Sequence, residues 1–332
     1  MLELDENDKS SAAVIPKDLK ILGLVFRNNH RIFVCMPRNK ASAATFPAPL
    51  QAVADDLSNE GLLAVKVPRV GYGGEVKLYT EKLFWDQFKE RIHNQSLSEI
   101  PAWYGQNLMP YHRAYESSEG KVDWISHPLV NRSVRWGKFR EYAEDTKTPI
   151  EENLALRLVH EIGTTLNGLH TDFNHLHNDL HGGNILLSLR SSNNGSRLPR
   201  FTLIDFEEVG PESLALEHTK VGEWLDFYKI MSESFLDSSK GYSKYKGSNL
   251  PQHLRKAWEQ LNQHKDSVGS DVSTLVDSVW KEVLDVVKEL MDVQPKPTQT
   301  ELPQSVIETI EKAIEAKGFT VTEKEKEQDL YS

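Results

Sequence analysis

Apolar residues fall in short strand-like blocks over the first third of the chain and in helical stripes over the rest. Residues 20–25 and 31–36 predict two strands around Arg27-Asn28-Asn29-His30, where asparagine tolerates the positive φ of a tight hairpin. Residues 37–60 hold Pro37, Pro47 and Pro49 and predict a loop carrying one short helix. A third strand is predicted at 62–67, stopped by Pro68. After a glycine-rich turn, Val76, Tyr79, Leu83, Phe84 and Phe88 recur near helical spacing and predict a helix over 75–92. Residues 101–104 and 122–125 predict two further strands. The first third therefore reads β-β-β-α-β-β, behind a polar, acidic segment, 1–18, expected to be loose.

The character changes at residue 151. Leu154, Leu158, Ile162, Leu166 and Leu169 form one apolar stripe, with Ala155 and Val159 beside it, and predict a helix over 151–170. Strands are predicted at 184–189 and 201–204, joined by a Ser- and Asn-rich loop over 190–200. Helices are predicted at 219–236, 251–264, 271–292 and 303–316, and the Glu-Lys tail after Gly318 is expected to be solvated.

Composition narrows the classes of function. With 39 Lys and Arg against 49 Asp and Glu, the formal charge is −10. An acidic surface repels phosphate backbones, so nucleic acid is not expected as a partner. The single cysteine, Cys35, permits no intrachain disulfide. The first residues lack the basic-then-apolar order of a signal peptide, and no apolar stretch reaches the ~20 residues of a membrane span. A cytoplasmic protein is expected, with the nucleus also open to it.

The densest chemistry lies in His177-Asn178-Asp179-Leu180-His181-Gly182-Gly183-Asn184 and in Leu203-Ile204-Asp205-Phe206-Glu207. Phosphoryl transfer needs a carboxylate near the attacking hydroxyl and oxygen ligands for the metal ions that neutralise the phosphates. Asp179 suits the first task, and Asn184 with Asp205 suits the second. His175, His177 and His181 lack the second ligand pair that a zinc site requires. Trp224, Phe227 and Tyr228 read as core in preference to a cation box.

These runs resemble the catalytic loop and metal-binding motif of the protein-kinase-like superfamily, which includes the aminoglycoside and choline kinases. The resemblance spans roughly residues 20–236 and implies an α+β, two-lobed fold with a small β-rich N-lobe and a larger, mainly helical C-lobe. It places the N-lobe at 19–130, the C-lobe at 131–318 and a charged tail at 319–332. It implies ATP and Mg2+ as cofactors, Asp179 as the catalytic base, and Asn184 and Asp205 as magnesium ligands. His177 matches the family's structural histidine, His181 is expected to contact the transferred phosphate, and Asp226 looks like the aspartate that braces the catalytic loop. Ala64-Val65-Lys66 resembles the strand whose lysine grips the nucleotide phosphates. Glu75, on one face with Tyr79 and Leu83, is expected to pair with Lys66, with Glu81 as the alternative.

The sequence also departs from the family pattern. The hairpin at 25–31 has no glycine-rich stretch, Asn178 replaces the arginine of regulated protein kinases, and Glu207 stands where those kinases carry glycine. His-Asn-Asp and Ile-Asp-Phe-Glu are similar to choline and ethanolamine kinases. Spacing points elsewhere: about 50 residues separate the expected hinge at His127 from His177, too few for the helical block that walls an alcohol pocket. The span from Asp205 to Asp226 is also short and lacks Ala-Pro-Glu. The plan is most similar to an atypical protein kinase, like the small kinase of the tRNA-modifying complex, and a protein substrate is expected. A small-molecule kinase and a nucleotide-binding pseudokinase are the alternatives.

Overall fold

The computed structural model describes residues 5–27, 30–38, 61–69, 73–93, 107–108, 112–191, 197–211, 219–235, 250–267, 270–293 and 303–322. The expected strand at 101–104 and the short helix within 37–60 lie outside them. The chain divides into two compact units, one of residues 1–132, 205–208 and 319–332, the other of 133–204 and 209–318.

The first unit opens with helix α1 (Glu6–Ala12), where a loose segment was expected. Asp5 and Asp8 cap it reciprocally: each carboxylate accepts the other residue's backbone N–H. The second oxygen of Asp8 accepts from Arg31 Nε at 2.6 Å, and Asp8 is fully buried. The acidic start is ordered because a distant arginine neutralises it, which no local pattern announces.

Strands β1 (Leu19–Arg27), β2 (His30–Pro37) and β3 (Leu63–Pro68) follow, then helix α2 (Gly74–His93), β4 (Arg113–Glu116) and β5 (Val122–Pro128). They form an antiparallel sheet in the order β1-β2-β3-β5-β4. Alternation sends Leu63, Val65 and Val67 into one core with Leu19, Ile21, Phe33 and Cys35, beside Ala12 of α1. Ala64 and Lys66 take the opposite face. A second apolar group joins Leu22, Val34, Leu62 and Leu129 to Val321. Residues 319–322 are therefore no solvated tail: Phe319 packs against this group, and the Val321 N–H donates to Asn131 Oδ1 at 2.8 Å.

Helix α2 buries only part of the stripe expected. Val76, Tyr79 and Leu83 are exposed, Val76 at 70%. Phe84 and Phe88 of the expected stripe are buried, together with Leu78, Glu81 and Trp85.

The second unit contains β6 (Ser133–Arg135), α3 (Trp136–Asp145), α4 (Glu152–Phe173), β7 (His175–Leu176), β8 (Ile185–Ser191), β9 (Arg197–Leu203) and β10 (Gly210–Pro211). Helices α5 (Lys220–Phe235), α6 (Leu250–Asn262), α7 (Ser270–Val293) and α8 (Gln304–Lys317) complete it. Strands β6, β8 and β9 make one antiparallel sheet, and β7 pairs with β10. The short strand β6 and helix α3 occupy part of the span 127–177, expected to hold little beyond a loop and the helix at 151–170. The α4 stripe Leu154, Leu158, Ile162, Leu166 and Leu169 is buried as expected. Trp224 and Phe227 of α5 pack on Trp280 of α7, so these two aromatics are core.

The Asp8–Arg31 pair yields a stability test. Asp8→Ala removes half the capping box and leaves Arg31 buried without this carboxylate, so it should cost about 3 kcal/mol. Asp5→Ala removes the cap alone and should cost about 1 kcal/mol. Urea unfolding of both variants checks this; equal losses would show that the buried pair adds nothing beyond the cap.

Candidate active site

In the first unit, Lys66 points away from the Val65–Val67 core, and its Nζ meets three carboxylates. Glu81 Oε2 is at 2.8 Å, Asp205 Oδ1 at 2.7 Å and Glu207 Oε1 at 3.0 Å. Burial alone would strip a proton from this lysine, which is 7% exposed, but Asp205, Glu81 and Glu207 outweigh it and hold the ammonium well above its ordinary pKa. Burial pushes the Glu81 carboxyl up, yet Lys66 and His127 bring it well below the usual range. His127 Nε2 lies 3.2 Å from the other Glu81 oxygen. Asp205 is also depressed: Lys66 overcomes its desolvation.

Asp205 to Glu208 reaches this unit from far along the chain because Phe206 is gripped by α2. It stacks on Phe84, with centroids 5.1 Å apart, and meets Trp85 edge-on. Glu208 pairs with Lys77. Asp205 itself takes a left-handed backbone, φ 68°. Glu207 pairs with His30 Nδ1 at 2.8 Å, and His30 Nε2 lies 3.0 Å from the Gly74 carbonyl oxygen.

The lysine's helix partner is thus Glu81, and the choice of Glu75 is corrected. Glu75 shares a face with Tyr79 and Leu83, and that face is turned to solvent. Among the described residues, Glu81, Asp205 and Glu207 are the group whose oxygens converge closely enough to hold a metal ion, and Lys66 Nζ already sits among them.

In the second unit, the segment from His177 to Asn184 is built around two carboxylates. Asn178 has a left-handed backbone, φ 62°, and this turn aims successive N–H groups at one acceptor. That acceptor is Glu223 Oε1, which takes the N–H of His177 at 2.5 Å and of Asn178 at 3.3 Å. Glu223 Oε2 accepts from His170 Nε2 at 2.6 Å. Burial pushes the Glu223 carboxyl up, but His170 and then His177 bring it below its ordinary value. Glu223 therefore braces the loop, where Asp226 was expected. Asp226 lies one turn further along α5 and is exposed; burial, Glu223 and Asp179 raise its carboxyl despite Lys229.

His177 Nε2 donates to the Ile204 carbonyl at 2.9 Å, and the Ile204 N–H donates to Asn184 O at 3.0 Å. Asp179 is held by Asn184, whose Nδ2 donates to Asp179 Oδ2 and to its backbone oxygen, both at 2.9 Å. His181 Nε2 stands 3.6 Å from Asp179 Oδ2. Burial raises the Asp179 carboxyl, but His181 and Asn184 leave it below its usual pKa, so it is ionised at neutral pH. Gly137 donates its N–H to Gly182 O at 2.9 Å, and a Cβ on Gly182 would meet Gly137 N at 3.1 Å. The glycines let the loop lie directly on α3.

Of the residues selected from sequence, Lys66 and Asp205 meet in the first unit, and Asp179, His181 and Asn184 meet in the second. In the first unit Asp205 offers a carboxylate whose pKa is depressed, and in the second the amide contacts of Asn184 use its nitrogen. Sequence reasoning missed Glu223 and the pairing role of His30 and Glu207. The spacing of three between Glu223 and Asp226 was the available signal, since it puts both on neighbouring positions of one helix face.

The sequence matches no family model and no curated protein. Solved structures are similar to it in fold. The BubR1 kinase domain aligns over 91% of this chain and 86% of its own, at 12% identity and a TM-score of 0.50. The PknI kinase domain of Mycobacterium tuberculosis aligns over 84% of this chain and 98% of its own, at 15% identity and a TM-score of 0.44. The chain has a protein-kinase-like α+β fold, with a β-rich and a mainly helical part. No described helix is long and apolar enough to cross a membrane.

Glu223 gives an acid-dependent test. Its folded pKa is depressed, so its stabilisation is fully present above the unfolded value, about 4.3, and is lost as pH falls through the lower folded value. Glu223→Gln should cost about 2 kcal/mol at neutral pH, because one face of the amide can no longer accept. The gap from wild type should close as the solution is acidified below about pH 4. Thermal unfolding across a pH series checks both; a gap independent of pH would show that the charge is not what stabilises the loop.

Proposed function

We propose that this chain is an ATP- and magnesium-dependent phosphotransferase that moves the γ-phosphate of ATP to a hydroxyl on a protein. The observation that carries the reading is the buried Lys66 ammonium, bonded at once to Glu81 of the following helix and to Asp205. An unsolvated cation so placed is ready to receive phosphate oxygens. Lys66, oriented by Glu81, binds the nucleotide phosphates. Asn184 and Asp205 hold magnesium, which when bound neutralises charge between the phosphates. Asp179, kept ionised and oriented by Asn184, accepts the proton of the acceptor hydroxyl. His181 stands beside the same carboxylate.

A protein acceptor is favoured by the short spans 127–177 and 205–226, which hold little material for walling a small alcohol. A small cationic alcohol is the second reading. It is favoured by Asp226, an exposed carboxylate near enough to Asp179 for each to feel the other's charge.

ATP and magnesium together should raise the thermal midpoint, and Asp205→Ala should remove most of the magnesium-dependent part. No shift at millimolar nucleotide and metal would defeat the reading. Asp179→Asn should fold and bind nucleotide while losing about a thousandfold in transfer rate. With γ-labelled ATP, label should enter this protein or a protein band of a cell lysate. Saturable labelling of choline, ethanolamine or an aminoglycoside, with no labelled protein, would promote the second reading.

A further inference from the structure

His181 lies in a setting more specific than a surface histidine needs. The Gly183 N–H donates to His181 Nδ1 at 2.9 Å. A backbone N–H can only donate, so Nδ1 carries the lone pair, and the neutral ring holds its proton on Nε2. That nitrogen is the one 3.6 Å from Asp179 Oδ2, a few tenths of an ångström beyond a hydrogen bond. Gly183 also makes the room: a Cβ there would lie 2.6 Å from His181 Cε1 and 2.7 Å from Nδ1. One residue therefore fixes the ring by its N–H and by its missing side chain.

The contacts on Asp179 are one-sided. Asn184 Nδ2 donates to Oδ2, and His181 Nε2 faces Oδ2 as well. We propose that Gly183 fixes His181 as the Nε2–H tautomer aimed at Asp179 Oδ2, so that the His181 and Asn184 N–H groups both stand on the side of that oxygen and Oδ1 is left to take the acceptor's proton. The inference rests on the phosphotransferase reading of Asp179 and makes Gly183 and His181 positioning residues. In the step so described, the acceptor proton passes to Oδ1 as its oxygen bonds to the γ-phosphorus of ATP. The bond from that phosphorus to the bridging oxygen breaks, and its electron pair stays on ADP.

Gly183→Ala is a direct probe, because Gly183 does not have a left-handed φ and alanine adopts its backbone without strain there. Long-range proton–nitrogen NMR of the full chain should show His181 unprotonated at Nδ1 and protonated at Nε2 in wild type. Both tautomers should be populated in Gly183→Ala, with an unchanged thermal midpoint within a few degrees as the control for folding. With γ-labelled ATP and magnesium, Gly183→Ala should lower the rate of label transfer or release about tenfold while the KM for ATP stays constant. His181→Gln keeps an N–H at similar reach and should retain more turnover than His181→Ala. A wild-type ring protonated at Nδ1, or equal rates for the two His181 variants, would overturn the inference while normal transfer left the phosphotransferase reading intact. No label transfer by wild type, with the expected tautomer observed, would instead overturn that reading and the role given to Oδ1.

Discussion

One buried ammonium organises the first unit. Taking Lys66 out of water is costly, and a lone lysine so placed would give up its proton. Three carboxylates prevent that, and each comes from a different relation to the strand: Glu81 from the next helix, Asp205 and Glu207 from a segment 139 and 141 positions later. The nitrogen is therefore a joint between chain segments that share little else in sequence. Each carboxylate gains from Lys66 a cation that offsets the cost of its own desolvation. The stacking of Phe206 on Phe84 gives this joint its apolar support, because it fixes the residue between the two acids.

The second unit solves a related problem with backbone groups. A loop carrying reactive side chains exposes amides that need acceptors, and here the left-handed turn at Asn178 turns two of them onto Glu223. The turn and the carboxylate explain each other. Without Glu223 the amides of His177 and Asn178 would lose this acceptor; without the turn a single oxygen could not take both. His170 then occupies the other Glu223 oxygen, so the loop is tied to α4 as well as α5. Rigidity of this kind lets Asp179 and Asn184 keep a fixed separation.

What the sequence could reveal depended on whether the cause was local. Lys66 was legible because Ala64-Val65-Lys66 resembles the lysine strand of protein-kinase-like folds, and α4 because its stripe repeats at helical spacing over about four turns. Glu81 was chosen second to Glu75 because α2 carries apolar side chains on two faces. Only the packing of Leu78, Trp85 and Phe88 decides which of them is buried. Glu223, one turn before the expected Asp226, is hidden for a similar reason: spacing identifies the helix face, while the direction of the loop amides selects the turn. The order at the N-terminus depended on Arg31, and β4 came at 113–116, where a short and half-exposed strand has little apolar pattern to display. Long-range charge pairing is the common element in the misses around the site.

The missing glycines of the β1–β2 hairpin fit this arrangement. A glycine-rich turn would offer backbone N–H groups to an anion. This hairpin contributes a side chain instead, since His30 at the start of β2 faces oxygen acceptors through both ring nitrogens. Burial disfavours its charged form, but Glu207 more than offsets that, and the ring's pKa is raised. His30 protonated on both nitrogens would donate to Glu207 and to the Gly74 carbonyl together. It holds Glu207 in place, and Glu207 in turn holds Lys66. The glutamate after Phe206 and the histidine at the start of β2 thus form a pair. Together they connect the hairpin to the lysine through two side chains.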